Sequence, residues 1–268
     1  MQAYIKTDQQ LHWLSQVLAK TGRAFVPAKE DDSHTNLYFD PVAERLLSRW
    51  IEKDQQKIAL TLNMASMQFE WVDQYFEIKH ANSVFDKNLE EIEKEVAVFP
   101  GSLGMPTDKM FEALHFEIPD YGFRSIGQKD ISDEGLRQWK FFRYLANLAC
   151  LDFLGFLQAK SEIRIWPHHF DTGVYAQVST GFGLGFGLAM EDSMAEQPYF
   201  YLAGYASDRK IGYTNLPELQ VGRWITGDGW KGAILPLAEL HSKKLKANLS
   251  SIAGFIGSAS NWYLSQKL

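Results

Sequence analysis

Cysteine is almost absent from this chain, and its scarcity limits the class of protein. The 268 residues contain one cysteine, Cys150, within an apolar stretch. One cysteine cannot form an internal disulfide, and chains without disulfides are typical of reducing compartments. A disulfide scaffold is therefore excluded, and a cytoplasmic localisation is predicted. Cys150 itself is predicted to be an inert buried thiol.

An excess of basic residues is also missing. Lysine and arginine total 27 against 33 aspartate and glutamate residues, so the formal net charge is -6 at pH 7. Surfaces that bind nucleic acid or anionic lipid usually carry a broad basic face. Neither nucleic acid nor a membrane is therefore predicted as a partner.

Uninterrupted hydrophobic runs are missing too. The most apolar stretch, residues 139–157, is broken by four polar residues: Lys140, Arg143, Asn147 and Asp152. A bilayer span rarely tolerates such breaks, so the stretch predicts a buried helix of a soluble protein. Asp152 is then expected to need a buried partner. The first 14 residues form no apolar core, so no signal peptide is predicted.

The short motifs of common enzyme chemistries do not occur. The chain has no G-x-S-x-G elbow, no P-loop, no C-x-x-C pair and no H-E-x-x-H zinc motif. These motifs fix a nucleophile, a phosphate or a metal in a known local geometry. Without them the sequence specifies no definite activity.

Aromatic residues, in contrast, are abundant. There are 8 Trp, 11 Tyr and 18 Phe, and hydrophobic residues make up 46% of the chain. A chain of this size and composition can bury a large core. The order of strand-like and helix-like segments predicts an α+β fold, with antiparallel sheets covered by helices. We predict a single compact unit over residues 1–268, which could consist of two sheet-and-helix halves, about 1–118 and 130–268.

The first half shows helix signals around a strand region. A capping box at Thr7 predicts a helix that ends at Gly22, and Asp40 followed by Pro41 predicts another that reaches Trp50. Further patterns predict strands near 58–62, 67–71 and 75–78, and helices over 89–99 and 106–114.

The second half begins with a long central helix, predicted from Ser132 to about Gln158. A long C-terminal helix is predicted after Pro236. Between them, alternation predicts strands at about 163–179, 182–190, 198–206, 222–226 and 230–235. Asp228-Gly229 is predicted to form a tight turn between the last two strands.

The densest polar cluster lies at the start of the first of these strands. Side chains alternate in a regular strand. Two faces are therefore predicted, a core face with Trp166, His168 and Phe170 and a site face with His169, Asp171 and Tyr175. A bulge at Pro167 would instead bring His168 into the site.

His169 and Asp171 offer one hypothesis for function. The two side chains could ligate a divalent metal or form an acid/base pair, with Tyr175 orienting a substrate. A third metal ligand would have to come from elsewhere, for example from Glu191, Asp192 or His34. This hypothesis predicts a hydrolase-like enzyme with catalytic residues His169, Asp171 and Tyr175. A purely structural hydrogen-bonded pair is the alternative.

A glycine strand offers the second hypothesis. Glycine alternates with large apolar residues from Gly181 to Leu188, so one strand face has no side chains. The next strand alternates Tyr199, Tyr201 and Tyr205. Rings lying over glycine could be sheet packing, or they could form a groove for a sugar, a nucleobase or another planar ligand. The residues predicted to bind such a ligand are Trp166, His168, Tyr199, Tyr201, Gly183 and Gly185.

Two functions from different classes thus follow from the residues. One is a non-catalytic module that binds a small molecule in an aromatic groove with a glycine floor. The other is the metal-dependent or acid/base hydrolase. A divalent metal is the one cofactor considered, and the sequence does not predict an oligomeric state.

Several short motifs, in order along the chain, resemble a bacterial family, domain of unknown function family 5996. They occupy residues 11–27, 34–39 (His-Thr-Asn-Leu-Tyr-Phe), a predicted hairpin with Trp-Val-Asp at 71–73, 165–171 (Ile-Trp-Pro-His-His-Phe-Asp) and 197–201 (Gln-Pro-Tyr-Phe-Tyr). The resemblance brings no activity, cofactor or catalytic residue. Family members often carry small residues where this chain has His168 and His169, so the shared elements are Trp166, Phe170 and Asp171.

Overall fold

The computed structural model describes residues 1–207, 209–227, 229–240 and 244–266. Over these residues it contains four α-helices and two antiparallel sheets, which confirms the predicted α+β class. The chain divides into two compact units. The first unit is Gln2–Lys140 with Ile165–Phe170, and the second is Met1, Phe141–Arg164 and Asp171–Leu268. The division does not decide whether the chain is one domain, which stays a prediction.

Helix α1 (Gln2–Phe25) opens the first unit and is longer than predicted. Gly22, expected to end this helix, lies inside it. A Cβ atom at Gly22 would stand 2.5 Å from the carbonyl oxygen of His34. Gly22 therefore permits a close approach of a neighbouring loop, which explains a glycine within a helix.

The first sheet lies in the first unit and has the order β1-β2-β4-β5-β6, with β3 also pairing with β4. Neighbouring strands are antiparallel, and the predicted hairpin of β4 and β5 is confirmed. The strands are β1 (Tyr38–Asp40), β2 (Arg45–Leu47), β3 (Ile51–Lys53), β4 (Gln56–Asn63), β5 (Gln68–Asp73) and β6 (Ile78–Ser83).

The helix predicted from Asp40 to Trp50 is wrong, because this segment forms the β1–β2 hairpin. The Asp40 carboxylate accepts hydrogen bonds from the N–H groups of Val42 and Ala43, at 2.8 and 3.0 Å. An aspartate can close a turn with the same bonds that cap a helix, so the local signal did not distinguish the two.

Helix α2 (Leu89–Ser102) closes the first sheet region, with Asn88 and Glu91 forming a capping box. Pro100 lies in its last turn instead of ending it. The helix predicted over 106–114 is wrong, since only a single 3-10 turn, Asp108–Met110, forms there.

The long central helix is confirmed as α3 (Asp133–Leu157). The expectation of a buried Asp152 is wrong, because this side chain is exposed. The buried charge of the helix is Arg143, which is 0% exposed and donates a 2.9 Å hydrogen bond to the Thr172 hydroxyl. Helical phase around the axis decides which polar residue of such a run is buried.

Strand β7 (Arg164–Trp166) follows α3, and a second sheet follows in the second unit. Five of its strands have the order β11-β12-β10-β9-β8. They are β8 (Asp171–Ser179), β9 (Phe182–Ala189), β10 (Tyr199–Ala206), β11 (Arg223–Ile225) and β12 (Gly232–Pro236). Asp228 of the predicted tight turn lies outside the described residues.

One face of the second sheet packs on helices of its own unit. Phe186 of β9 stacks on Phe153 of α3 with ring centroids 5.1 Å apart. The predicted C-terminal helix is confirmed as α4 (Leu245–Ser265), and its Trp262 packs on Trp224 of β11 at 4.9 Å. None of the helices in the described part of the chain is both long and apolar enough to cross a bilayer.

Candidate functional site

The strand predicted over 163–179 is interrupted by a turn at residues 167–170. Phe170 in this turn has a left-handed φ of 54°, and its N–H donates to the Trp166 carbonyl at 2.6 Å. The predicted alternation of Trp166, His168 and Phe170 along one strand face is therefore wrong. Pro167 has no N–H to continue a strand ladder, so the chain can turn there.

Helix α1 holds this turn within the first unit. Nε2 of His12 lies 2.9 Å from the Pro167 carbonyl oxygen, and the Gln16 amide donates to the same oxygen at 3.0 Å. The Phe170 ring stacks on His12 at 5.1 Å, nearly parallel. A left-handed aromatic residue costs about 1 to 3 kcal/mol, which these buried contacts offset.

His12 fixes this turn, and sequence reasoning did not identify it. Because a carbonyl oxygen only accepts, Nε2 of His12 carries the hydrogen, and Nδ1 accepts from the Tyr121 hydroxyl at 2.7 Å in the neutral ring. His12 and Pro167 are 155 positions apart. No spacing pattern along the chain connects residues at such a separation.

His168 and His169 lie next to each other in the turn, with ring centroids 4.3 Å apart. His169 is exposed, whereas His168 is partly buried and packs on Phe116 at 5.6 Å. Burial, with smaller contributions from His169 and His115, lowers the pKa of His168 to about 4. His168 is therefore neutral near pH 7 and suits packing or hydrogen bonding better than anion binding.

The lowered pKa of His168 predicts a loss of stability in acid. The unfolded chain binds a proton at this histidine below about pH 6.5, and the folded chain does so only below about 4. The free energy of unfolding should therefore fall by about 1 to 2 kcal/mol between these values, less than full burial would give because the ring is partly solvated. Urea unfolding at about pH 7 and about pH 5 measures the change.

His168→Gln is the comparison for this prediction. The variant should lose less stability than the original chain between the two pH values. Burial also lowers the pKa of His34, which contributes a fall of the same sign in both proteins. Equal losses in the two proteins would contradict the assignment to His168.

The second unit contains the predicted glycine strand, on the sheet face opposite to the helices. We call this surface the tyrosine–glycine face. Its register places Tyr175 opposite Gly185, Tyr201 opposite Gly187 and Tyr205 opposite Gly183. Its members are Gly173 and Tyr175 of β8, Gly183, Gly185 and Gly187 of β9, and Tyr201 and Tyr205 of β10.

The tyrosine rings of this face lie directly on the glycines. A Cβ atom at Gly183 would overlap the Tyr175 ring, and one at Gly185 would lie 2.9 Å from the Tyr205 ring. The Tyr201 hydroxyl lies over Gly187, 2.9 Å from the position of its Cβ. The protein's own rings therefore cover the predicted glycine floor, and only glycine leaves room for them.

Exposure separates the four tyrosines of β8 and β10 into two groups. Tyr175 and Tyr205 are 43% and 47% exposed, and their rings pack edge to face with centroids 6.1 Å apart. Tyr199 is 2% exposed and Tyr201 is partly buried. We call Tyr175 and Tyr205 the outer ring pair and Tyr199 and Tyr201 the inner pair. The outer ring pair is accessible to a ligand, whereas the inner pair is packed within the sheet.

The hydroxyl groups of the inner pair are hydrogen-bonded to carboxylates. The Tyr201 hydroxyl donates to Oδ2 of Asp171 at 2.6 Å, and the Tyr199 hydroxyl donates to Oδ2 of Asp192 at 2.6 Å. Burial, reinforced by these carboxylates, raises the pKa of both phenols well above the ordinary value. Both hydroxyls therefore stay protonated and act as hydrogen-bond donors.

The structure brings only some of the predicted site residues together. Asp171 and Tyr201 are in contact, and Tyr175 covers Gly183. Asp171 and Tyr175 share a strand face but are four residues apart, about 13 Å at the usual rise of a strand. Trp166, His168 and His169 belong to the first unit, where Trp166 and His168 are partly buried.

Metal ligation gains no support from the described residues. Among them, no group of three or more His, Cys, Asp or Glu side chains is placed to hold a metal ion. Cys150 is buried, and burial raises the pKa of its thiol well above the ordinary range. A protonated thiol is a poor nucleophile and a poor ligand, in agreement with the inert role predicted for it.

Comparison of the chain with protein-family models, with curated proteins and with solved structures found no match. The resemblance to family 5996 therefore stays a prediction, and the function rests on the site alone.

Proposed function

We propose that this protein is a small-ligand-binding module and that the tyrosine–glycine face is its binding surface. The observation that carries the proposal is the outer ring pair, Tyr175 and Tyr205, each about half exposed above a strand of glycines. Tyr175 and Tyr205 differ in this respect from many other large aromatic side chains of the protein, which are fully buried. An exposed aromatic pair on a rigid sheet can bind the flat face of a ligand at little entropic cost.

The chemistry of this face favours a ligand that contains an uncharged ring. Its exposed surface consists of phenol rings, and the acidic net charge disfavours a polyanion. Trp230 extends the aromatic surface, because its indole lies against Gly232 beside the tyrosine rows. A sugar ring or a nucleoside base offers the flat surface that stacks on such side chains.

The hydrolase remains the alternative from the other class. It requires His169 and Asp171 to bind a metal or to share a proton. Elemental analysis of protein purified without chelator tests the metal form, which predicts near-stoichiometric divalent metal. Binding is the better-supported function, because no group of three or more His, Cys, Asp or Glu side chains among the described residues is placed to hold a metal ion.

Removal of the outer ring pair should weaken ligand binding. Saturation-transfer NMR with adenosine and, separately, with maltotriose is expected to show binding of one of them to the original protein. Tyr175→Ala and Tyr205→Ala should each weaken that binding about tenfold, since one stacked ring contributes about 1 to 3 kcal/mol. Both positions are half exposed, so the fold should persist.

Tyr75→Ala is the matched control. Tyr75 is 76% exposed and lies outside the tyrosine–glycine face. Its replacement removes an exposed tyrosine of the same kind and should leave binding unchanged. Equal losses in all three variants would contradict the proposed surface, and so would the finding that neither adenosine nor maltotriose binds the original protein.

A further inference from the structure

A hollow in the first unit lies between α1 and the loop of residues 122–126. Its volume is about 260 Å³, slightly below the range of about 300 to 1,000 Å³ that is usual for drug-sized ligands. Its lining includes Lys6, Gln10, Phe123, Arg124 and Asp130. It is independent of the tyrosine–glycine face, which belongs to the second unit.

Two cations of this lining are available for an anion. Lys6 is exposed and forms no ion pair with another residue in the described ranges. Arg124 is also exposed, and its nearest carboxylate, that of Asp120, lies 3.4 Å away at the margin of hydrogen bonding. A guanidinium in this state has donors left for a bidentate carboxylate.

Two residues with side-chain acceptors, Gln10 and Asp130, also line the hollow. The Gln10 side chain is 1% exposed and donates through Nε2 to the Asp130 backbone carbonyl at 3.1 Å. Its Oε1 atom is buried and accepts no hydrogen bond within the described chain. The Asp130 carboxylate accepts the Gly127 N–H through Oδ2 at 2.9 Å, which leaves further lone pairs.

Buried acceptors without a donor are rare in folded proteins, and each needs an explanation. A ligand that donates N–H groups into the hollow would satisfy Oε1 of Gln10. A ligand ammonium group does this and also pairs with the Asp130 carboxylate, while a ligand carboxylate pairs with Lys6 and Arg124. Phe123, which packs edge to face with Trp13 at 6.2 Å, adds an apolar wall.

We propose that this hollow binds a small zwitterion, a free α-amino acid with an apolar side chain. Its carboxylate lies against Lys6 and Arg124, its ammonium group against Asp130 and Gln10, and its side chain against Phe123. A simple anion would satisfy the cations and leave both acceptors unused. A simple amine would pair with the acceptors of Asp130 and Gln10 and would leave Lys6 and Arg124 without an anion.

Three matched probes test the assignment by calorimetry at millimolar concentrations. L-Leucine carries both charged groups, 4-methylpentanoate lacks the ammonium group and 3-methylbutylamine lacks the carboxylate. Leucine should bind the original protein about tenfold more tightly than either analogue, since each analogue loses one set of charge-assisted hydrogen bonds.

Variants then assign each group of the ligand to its residue. Arg124→Gln and Lys6→Met should each weaken leucine about fivefold to tenfold. Asp130→Asn should weaken leucine by a similar factor and leave 4-methylpentanoate unchanged. These side chains are exposed, so the variants should fold, and Lys129→Met, an exposed neighbour that does not line the hollow, controls for charge alone.

The outcomes are decisive in either direction. Selective loss of leucine binding in the lining variants supports the proposal. No heat with leucine, equal affinity for the three probes, or the same affinity in Arg124→Gln and Lys129→Met overturns it. Gln10→Leu adds a check on the buried acceptor, because it should reduce the preference for leucine over 4-methylpentanoate.

Discussion

Replacing Gly187 with alanine is expected to lower the free energy of unfolding by about 3 kcal/mol, the upper part of the range for overpacking. A Cβ atom at Gly187 would stand 2.5 Å from the Thr172 carbonyl oxygen and 2.8 Å from the Gly173 Cα atom. Both are backbone atoms of β8, so no side-chain rotation can relieve the contact. The strands must separate where the β8–β9 ladder is buried.

Gly183→Ala is the matched control, because Gly183 lies on the same face of β9, two repeats of the alternation away. The atoms nearest to its Cβ would be the hydroxyl oxygen and the outer ring carbons of Tyr175, which belong to a side chain and not to the backbone. Because Tyr175 is half exposed, its ring can move into solvent at a cost of about 0.5 to 1 kcal/mol. Urea unfolding measures both variants. Equal destabilisation would show that backbone crowding does not explain the glycine at 187.

Gly183→Ala also connects packing with function. If the Tyr175 ring leaves its glycine, the outer ring pair loses its geometry. The variant should therefore weaken binding of the NMR probe while remaining stable. A loss of binding without a loss of stability separates the role of this glycine from that of Gly187.

Replacing Tyr201 with phenylalanine is expected to lower the free energy of unfolding by about 2 kcal/mol. The Tyr201 hydroxyl donates a 2.6 Å hydrogen bond to Asp171, a carboxylate that is 9% exposed. Hydrogen bonds to charged groups contribute about 1.5 to 3 kcal/mol, more than neutral ones. The ring itself stays, so the change reports the hydroxyl alone.

Tyr175→Phe removes a half-exposed hydroxyl from the same sheet face and should change stability by less than about 0.5 kcal/mol. A second test uses Asp171→Asn, whose side chain is neutral. In that background Tyr201→Phe should cost only about 1 kcal/mol, the value for a neutral pair. An undiminished effect would mean that the carboxylate charge does not strengthen the bond.

Sequence patterns were most informative where a local rule acts alone. The central helix was predicted within one or two residues of α3, because its cap and its apolar run are contiguous. The strands β9 and β10 were predicted because their alternation is uninterrupted. The same alternation correctly placed glycines and tyrosines on one face. In each case the responsible residues are close together along the chain.

Local patterns failed where one signal serves two structures. Asp40 followed by Pro41 suits a helix cap and equally a hairpin turn, and the turn was observed. The segment 163–179 had a continuous strand pattern, yet it turns at residues 167–170. His12 and Gln16 hold that turn from α1, and no pattern near Pro167 indicates them.

By itself, the sequence determined the α+β class, the central and C-terminal helices and a glycine strand beside alternating tyrosines. Periodicity and caps specify these features, since they act over a few residues. Only the tertiary structure decided that Tyr175 and Tyr205 cover the glycines while staying half exposed, that Arg143 and not Asp152 is buried, and that Gln10 and Arg124 line one hollow. Burial and contact depend on packing between distant segments, which local periodicity does not encode.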